Sequence, residues 1–106
     1  MVDKGMEKIL AKAREMQEKQ NRRLAEATVE ATAADGKIHG TMNGHRALTS
    51  IHIDPDLVSA DNLEKVQSSV VELVNDLVDQ MDKILEDRFG IVDKMPSLSV
   101  ENIFGR

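Results

Sequence analysis

The sequence contains no cysteine, tryptophan or tyrosine, and its 106 residues include only two phenylalanines and two prolines. Without cysteine, disulfides, thiol nucleophiles and thiolate metal sites are excluded. Aromatic rings normally supply much of the buried area of a small core, so Val, Leu, Ile, Met and Ala must form this one. A chain of this length is expected to fold as one domain with a modest core, to which burial between two subunits would add.

Long apolar runs are also absent, since no run approaches the roughly 20 residues of a membrane-spanning helix. The first ten residues, MVDKGMEKIL, lack the apolar stretch of a secretory signal. Both absences predict a cytoplasmic protein. The net charge of −5 is unevenly placed: residues 1–23 hold seven Lys/Arg against four Asp/Glu, whereas residues 24–106 hold seven against fifteen. The acidic body argues against strong nonspecific nucleic-acid binding, and the basic N-terminal segment predicts a local anionic contact.

The periodicity of residues 4–26 predicts an amphipathic helix, with Asp3 as its N-cap. One side, called here the apolar seam, holds Met6, Ile9, Leu10, Ala13, Met16, Gln17, Gln20 and Leu24. Another side, called here the basic stripe, covers about 100° of the helix and holds Lys4, Lys8, Lys12, Lys19, Arg22 and Arg23. The helix is therefore expected to present one apolar and one cationic face.

Residues 27–53 predict a three-stranded antiparallel meander of short alternating segments. Asp35-Gly36 and Asn43-Gly44 are both two-residue hairpin signals, and the second predicts a positive φ at Gly44. Gly40, inside the second strand, predicts a bulge or a close approach of another part of the chain.

A second long helix is predicted from about residue 62 to 89, with Asp61 as its cap and Gly90 as its stop. Its apolar residues span about 160° of the helix, which is wider than one packed face usually needs. Half of this arc is expected to cover the meander and the rest to form a homodimer interface, through Val71, Val74, Val78, Met81 and Leu85. The predicted fold is α+β, with one domain over residues 1–90 and a loosely ordered tail over residues 91–106.

Other polar groups lack the spacing of a catalytic or metal site. The three histidines fall in separate strands and a turn rather than in a converging zinc set: His39, His45 and His52. Three carboxylates lack the EF-hand spacing and suit turn and cap positions: Asp54, Asp56 and Asp61. The glycines of the meander do not precede the Lys-Ser/Thr helix start of a P-loop. The sequence therefore predicts no enzyme, no metal and no cofactor.

Several segments resemble the YbaB/EbfC family of bacterial nucleoid-associated proteins. One such segment is residues 36–44, GKIHGTMNG, which resembles the family's strand that begins with glycine and ends in Asn-Gly. Another is residues 51–57, IHIDPDL, which resembles the family's Ile-Asp-Pro segment. In the family this segment precedes a long helix that contains an asparagine, here Asn75. The Met-Gln-containing residues 13–19 and the Lys-Met-Pro of residues 94–96 are also similar to the family. The similarity covers about residues 6–96.

This resemblance implies a homodimer with protruding helical arms that binds duplex DNA on the nucleoid. The candidate phosphate contacts are Lys8, Lys12, Lys19, Arg22 and Arg23. Without surface aromatics or a recognition-helix motif, base readout is expected to be weak. Two alternatives remain. In the first, the stripe is only solvated, and the protein is a dimeric protein-interaction module of the same fold with an unknown protein partner. In the second, the helix adsorbs to an anionic membrane, although it lacks the Trp or Phe anchors of such helices.

Overall fold

A computed structural model describes residues 3–94. The chain forms α1 (Lys4–Glu26), β1 (Thr28–Ala33), β2 (Ile38–Asn43), β3 (Leu48–Ile53) and α2 (Leu63–Phe89), with two 3₁₀ turns before α2 at Pro55–Leu57 and Ala60–Asn62. The predicted α+β class and the predicted order of elements are confirmed. Of the predicted tail, only residues 91–94 are described, and the remainder lies outside the described residues. Neither long helix of the described chain is apolar enough to cross a membrane.

The helix ends are set by local side-chain and backbone contacts. The Asp3 carboxylate accepts the Met6 backbone N–H at 2.7 Å, so the predicted N-cap of α1 is confirmed. Gly90 ends α2 with a left-handed φ of 68°, and its N–H donates to the Glu86 carbonyl. The predicted cap at Asp61 is wrong, because the second 3₁₀ turn takes up this residue and Asn62 precedes α2, without a side-chain cap bond.

The three strands form one antiparallel sheet in the order β1-β2-β3. The turn predicted at Asp35-Gly36 is present over residues 34–37. Asp35 and Gly36 have left-handed φ values of 57° and 85°, and Lys37 N–H donates to the Ala34 carbonyl at 3.1 Å. Gly40 pairs directly with Ile51, and a methyl group at Gly40 would lie 3.0 Å from the Leu73 side chain. The close approach predicted at Gly40 is therefore present.

The second turn differs from the two-residue hairpin predicted at Asn43-Gly44. The loop spans residues 44–47, and the positive φ, 60°, belongs to Arg46 rather than to Gly44. The Asn43 side chain accepts the backbone N–H groups of His45 and Ala47, which stabilises this longer loop. Gly44 is needed for a different reason, because a methyl group there would lie 2.5 Å from the Leu24 carbonyl oxygen.

The core lies between α2 and the face of the sheet formed by β1 and β2. Its most buried large side chains are Ile38, Leu73, Leu77, Met81 and Leu85. The opposite face of the sheet is polar: Thr41 bonds to Thr49 and Ser50 through hydroxyl groups at 2.6 and 2.7 Å. The protomer is thus a two-layer structure with one apolar core.

Helix α1 buries none of its 23 residues. It joins the body at its C-terminal turn, where Gly44 N–H donates to the Leu24 carbonyl at 2.8 Å and the His45 ring meets the Asn21 carbonyl at 3.3 Å. At 1.5 Å per residue the helix is about 34 Å long, and the chain measures 67 × 26 × 25 Å. Helix α1 is therefore an arm that projects from the body.

Candidate nucleic-acid interface

The basic stripe lies along the exposed length of the α1 arm. All five predicted contact residues are solvent-exposed: Lys8, Lys12, Lys19, Arg22 and Arg23. From Lys8 to Arg23, these five residues extend about 22 Å along the helix. Because duplex DNA carries a phosphate every ~3.4 Å along each strand, a stripe of this length can face several successive phosphates.

The stripe is free of ion pairs within residues 3–94, where a single salt bridge joins Arg46 to Asp82. The cationic groups of Lys8, Lys12 and Lys19 therefore remain available for an external anion. Arg23 differs from these lysines, because its guanidinium lies 4.9 Å from the centroid of the Phe89 ring and its Nη1 donates to the Gln20 side-chain oxygen at 3.5 Å. The structure thus anchors one end of the stripe to the end of α2.

The apolar seam of α1 is uncovered along most of its length. Met6, Ile9 and Met16 are 50%, 67% and 62% exposed, and Leu10 is 44% exposed. Only Leu24, at the end of the seam, packs against the core. Because no residue of α1 is buried, this face is in contact with solvent unless another chain covers it.

Most of the residues predicted for the dimer interface lie inside the protomer instead of on its surface. Val71, Val78, Met81 and Leu85 are all at most 7% exposed, and only Val74 is partly exposed. The wide apolar arc of α2 is therefore largely used by the chain's own core. Of the five, Val74 alone remains accessible to a second copy.

A different apolar surface stays uncovered, on strand β3. Leu48 and Ile51 are 43% and 41% exposed. Ile51 pairs with buried Gly40 and Leu48 with buried Met42, and directly opposed residues point to the same face of a sheet. These side chains therefore lie on the face that α2 covers over β1 and β2 but leaves open over β3. The amino-acid pattern marked β3 as a strand but could not show that α2 stops short of it.

The polar groups that suggested metal sites are accounted for by local structure. His39 and His52 stack across β2 and β3 with ring centroids 4.9 Å apart. Asp54 accepts the Asp56 backbone N–H at 2.9 Å and so caps a 3₁₀ turn. The described residues contain no group of three or more His, Asp or Glu side chains that could hold a metal ion.

The ion pair between Arg46 and Asp82 has no signal in the sequence, because the two residues lie 36 positions apart. Nη2 and Nε of Arg46 lie 3.1 and 3.3 Å from the same carboxylate oxygen, with side chains only 20% and 10% exposed. Nη2 also donates to the Asp93 carbonyl. The pair therefore joins the β2–β3 loop to α2 and to the segment after it, and its role is to hold the body together.

Known proteins share this architecture. The protein from Helicobacter pylori described as "uncharacterized protein HP0035" superposes with a TM-score of 0.58 over 74% of this chain and 92% of its own, at 15% identity, which supports the fold alone. A nucleoid-associated protein of Roseiflexus castenholzii is 41% identical to this chain, over 74% of this chain and 80% of the relative. A nucleoid-associated protein of Koribacter versatilis is 31% identical, over 81% of this chain and 85% of the relative. The model of the YbaB/EbfC DNA-binding family matches residues 3–94. The chain therefore belongs to the YbaB/EbfC DNA-binding family.

Proposed function

We propose that this protein is a nucleoid-associated homodimer that binds duplex DNA with low sequence specificity through the basic stripe of α1. The observation that carries the proposal is the projecting arm itself, a 23-residue helix with no buried residue that presents an unpaired row of cations. The family match and the names of the curated relatives support DNA as the ligand. The proposed location is the nucleoid in the cytoplasm.

The charge distribution determines how DNA would approach. Residues 24–106 hold seven Lys/Arg against fifteen Asp/Glu, so the body repels phosphate while the arm attracts it. With about five phosphate contacts on one arm, the logarithm of the binding constant should fall with the logarithm of salt concentration at a slope of about −4 to −5. We expect weak binding, nearer the micromolar range of nonspecific complexes than the nanomolar range.

Low specificity follows from the chemistry of the stripe. Three of the five contacts are lysines, whose ammonium groups act as point charges toward phosphates. Base recognition by the other two, Arg22 and Arg23, would need their bidentate donors to be placed in a groove. The exposed part of α1 carries Lys8, Lys12 and Lys19 but no aromatic side chain that could stack on a base. Phosphate contacts fix position without reading sequence.

For the dimer, we propose contact through the open face of β3. The occupant is a second copy, because two bodies of net negative charge must meet on a neutral surface and β3, LTSIHI, has no Asp, Glu, Lys or Arg. Leu48 and Ile51 supply the exposed apolar area. β3 is also an edge strand of the sheet, and an edge offers unpaired backbone groups for pairing with another chain.

The proposal is tested by charge reversal on the arm. Lys12→Glu with Lys19→Glu should abolish binding to a random-sequence duplex, measured by fluorescence anisotropy at several salt concentrations, because two attractive contacts become repulsive. Both residues are exposed, so the circular dichroism melting curve should be unchanged. The matched control is Lys65→Glu, which changes an exposed lysine of α2 and should weaken binding less.

The outcomes separate three mechanisms. Loss confined to the arm variant supports the arm as the contact surface. Equal sensitivity to Lys12, Lys19 and Lys65 would show that the long-range field, not a defined arm, sets affinity. Absence of binding by the unmodified protein at low salt would reject DNA as the ligand.

The alternative function is a dimeric module that binds a protein partner. The exposed apolar seam of α1 favours it, since three of its side chains, Met6, Ile9 and Met16, are at least half exposed. An amphipathic helix can be recognised through such a face in a hydrophobic groove. Rejection of duplex DNA in the test above would leave this module as the function.

A further inference from the structure

The C-terminal ends of the two helices meet in a niche at the end of the basic stripe, with Arg23 common to both. This niche is lined by Arg23, Glu26, Ala27, Arg88 and Phe89. Helix α1 brings Arg23 there because its last turn is fixed to the body through Leu24.

Within the niche, the Phe89 ring packs against the Arg23 guanidinium and restrains it. The guanidinium carbon lies 4.9 Å from the ring centroid, and Phe89 is itself half-buried and packed against the core. A guanidinium that stacks on a ring face can still use its in-plane N–H donors, and only one of these, Nη1, has a partner, Gln20. Because Arg23 is already restrained, it loses less side-chain entropy when it binds a ligand than a free lysine of the arm does.

A second cation comes to the same niche from the other helix. Arg88 is exposed in the last turn of α2, as Arg23 is in the last turn of α1. Glu26 is the only carboxylate among the residues that line the niche, so the lining holds two cationic side chains against one anionic side chain. Arginine pairs favour phosphate oxygens because their planar donors match phosphate geometry.

We propose that Arg23 and Arg88 form a two-arginine phosphate contact where α1 meets α2, with Phe89 as the positioning residue for Arg23. The inference rests on the proposed DNA-binding function and extends its surface from the arm onto the body. The contact places one backbone phosphate of the duplex between the two helix ends. In this arrangement the arm supplies mobile lysines and the niche supplies the fixed end of the interface.

The first test removes Arg88. Arg88→Gln should lower the magnitude of the salt slope for a random-sequence duplex by about 0.9, the value for one lost phosphate contact. Lys83→Gln is the matched control, since Lys83 is an exposed cation of α2 outside the niche. Both variants change surface residues, so their thermal melting curves should match that of the unmodified protein.

The second test separates positioning from folding by a double-mutant cycle with Phe89→Leu and Arg23→Gln. If Phe89 acts through Arg23, Phe89→Leu should weaken binding several-fold alone and cause no further loss once Arg23 is glutamine. Equal losses in both backgrounds would overturn the positioning role, because a purely structural effect does not depend on Arg23. A thermal melt of each variant shows the folded fraction.

Two results distinguish this inference from the proposed function. Normal binding and slope in Arg88→Gln, with binding still lost in the Lys12 and Lys19 reversal, would reject the niche and retain the arm. Absence of binding by the unmodified protein would reject both proposals.

Discussion

Gly36 and Gly44 lie in the two turns of the meander and are required for different physical reasons. Gly36 has a φ of 85° with no atom within 4 Å of the position of a Cβ, so its role is conformational freedom. Gly44 has no such φ, but a Cβ would lie 2.5 Å from the Leu24 carbonyl oxygen that its own N–H contacts. Its role is space for the end of α1.

Substitution at these two positions should distinguish the two roles. Gly44→Ala should lower the free energy of unfolding by about 2 kcal/mol or more, because backbone atoms of α1 must move to relieve the clash. Gly36→Ala should cost about 1 kcal/mol, and Gly36→Asn less, since asparagine tolerates the left-handed region. Urea denaturation followed by circular dichroism measures each value.

Asparagine is the control at both sites. Gly44→Asn should remain as destabilised as Gly44→Ala, because asparagine still carries a Cβ. Recovery of stability by Gly44→Asn would show that backbone conformation, not the Leu24 contact, makes glycine necessary there. The sequence signal Asn-Gly marked the place of a turn but not its length, and it could not show the clash at Gly44, which depends on where α1 ends in space.

At the residue scale, contacts between side chains that are far apart in the chain could not be predicted from the sequence. Arg46 reaches Asp82 across 36 positions of the chain, and Arg23 reaches Phe89 across a larger separation. Neither pair has a fixed spacing that a pattern could detect. Both depend on how the β2–β3 loop and the helix ends are placed on the body.

At the scale of elements, α1 and α2 are similar in length but differ in what stabilises them. Helix α2 buries eight of its residues, whereas α1 buries none and is held through its C-terminal turn. Packing of an amphipathic face usually provides most helix stability in proteins. The first turns of α1 must therefore rely on the Asp3 cap and on intrinsic helix propensity.

Removal of the outer arm should leave the body intact. Deletion of residues 1–12 takes away no buried side chain of the described residues, so the urea midpoint and the m-value should stay close to those of the full chain, because m scales with the surface exposed on unfolding. Leu24→Ala is the contrasting change and should cost about 2 kcal/mol, since Leu24 packs against the core. A lower midpoint in the deletion variant would mean that the arm is packed in solution.

At the scale of the whole molecule, residues 3–94 bury one core but leave apolar side chains exposed, and two groups of these each lie together on one element. These are the seam of α1 and the inner face of β3. A small core without tryptophan or tyrosine buries little apolar area within one chain. Burial between two copies would add about 25 cal/mol of stabilisation per Å² of apolar surface. The dimer remains a prediction, and β3 is the surface on which we expect it.

Disruption of the β3 surface should produce a monomer. Leu48→Asp with Ile51→Asp places two charges on the open face, where burial without a partner is costly, and sedimentation at micromolar concentration should then show the 11.8 kDa species. Thr32→Asp is the control. It changes an exposed residue of β1 and should leave the dimer intact. An unmodified protein that sediments only at 11.8 kDa would contradict the prediction, and a dimer that survives both substitutions would move the interface elsewhere.

The sequence by itself determined the elements, the family and the candidate stripe, because these depend on local signals. Helical periodicity, the Asp3 cap and the Gly90 stop act within a few residues, and so does the Asp35-Gly36 turn. Tertiary structure decided which apolar residues of α2 face the chain's own sheet, since the width of an apolar arc shows that a face is buried but not against what. It also decided the space required at Gly44 and the meeting of Arg23 with Phe89, because both depend on the angle at which α1 leaves the body.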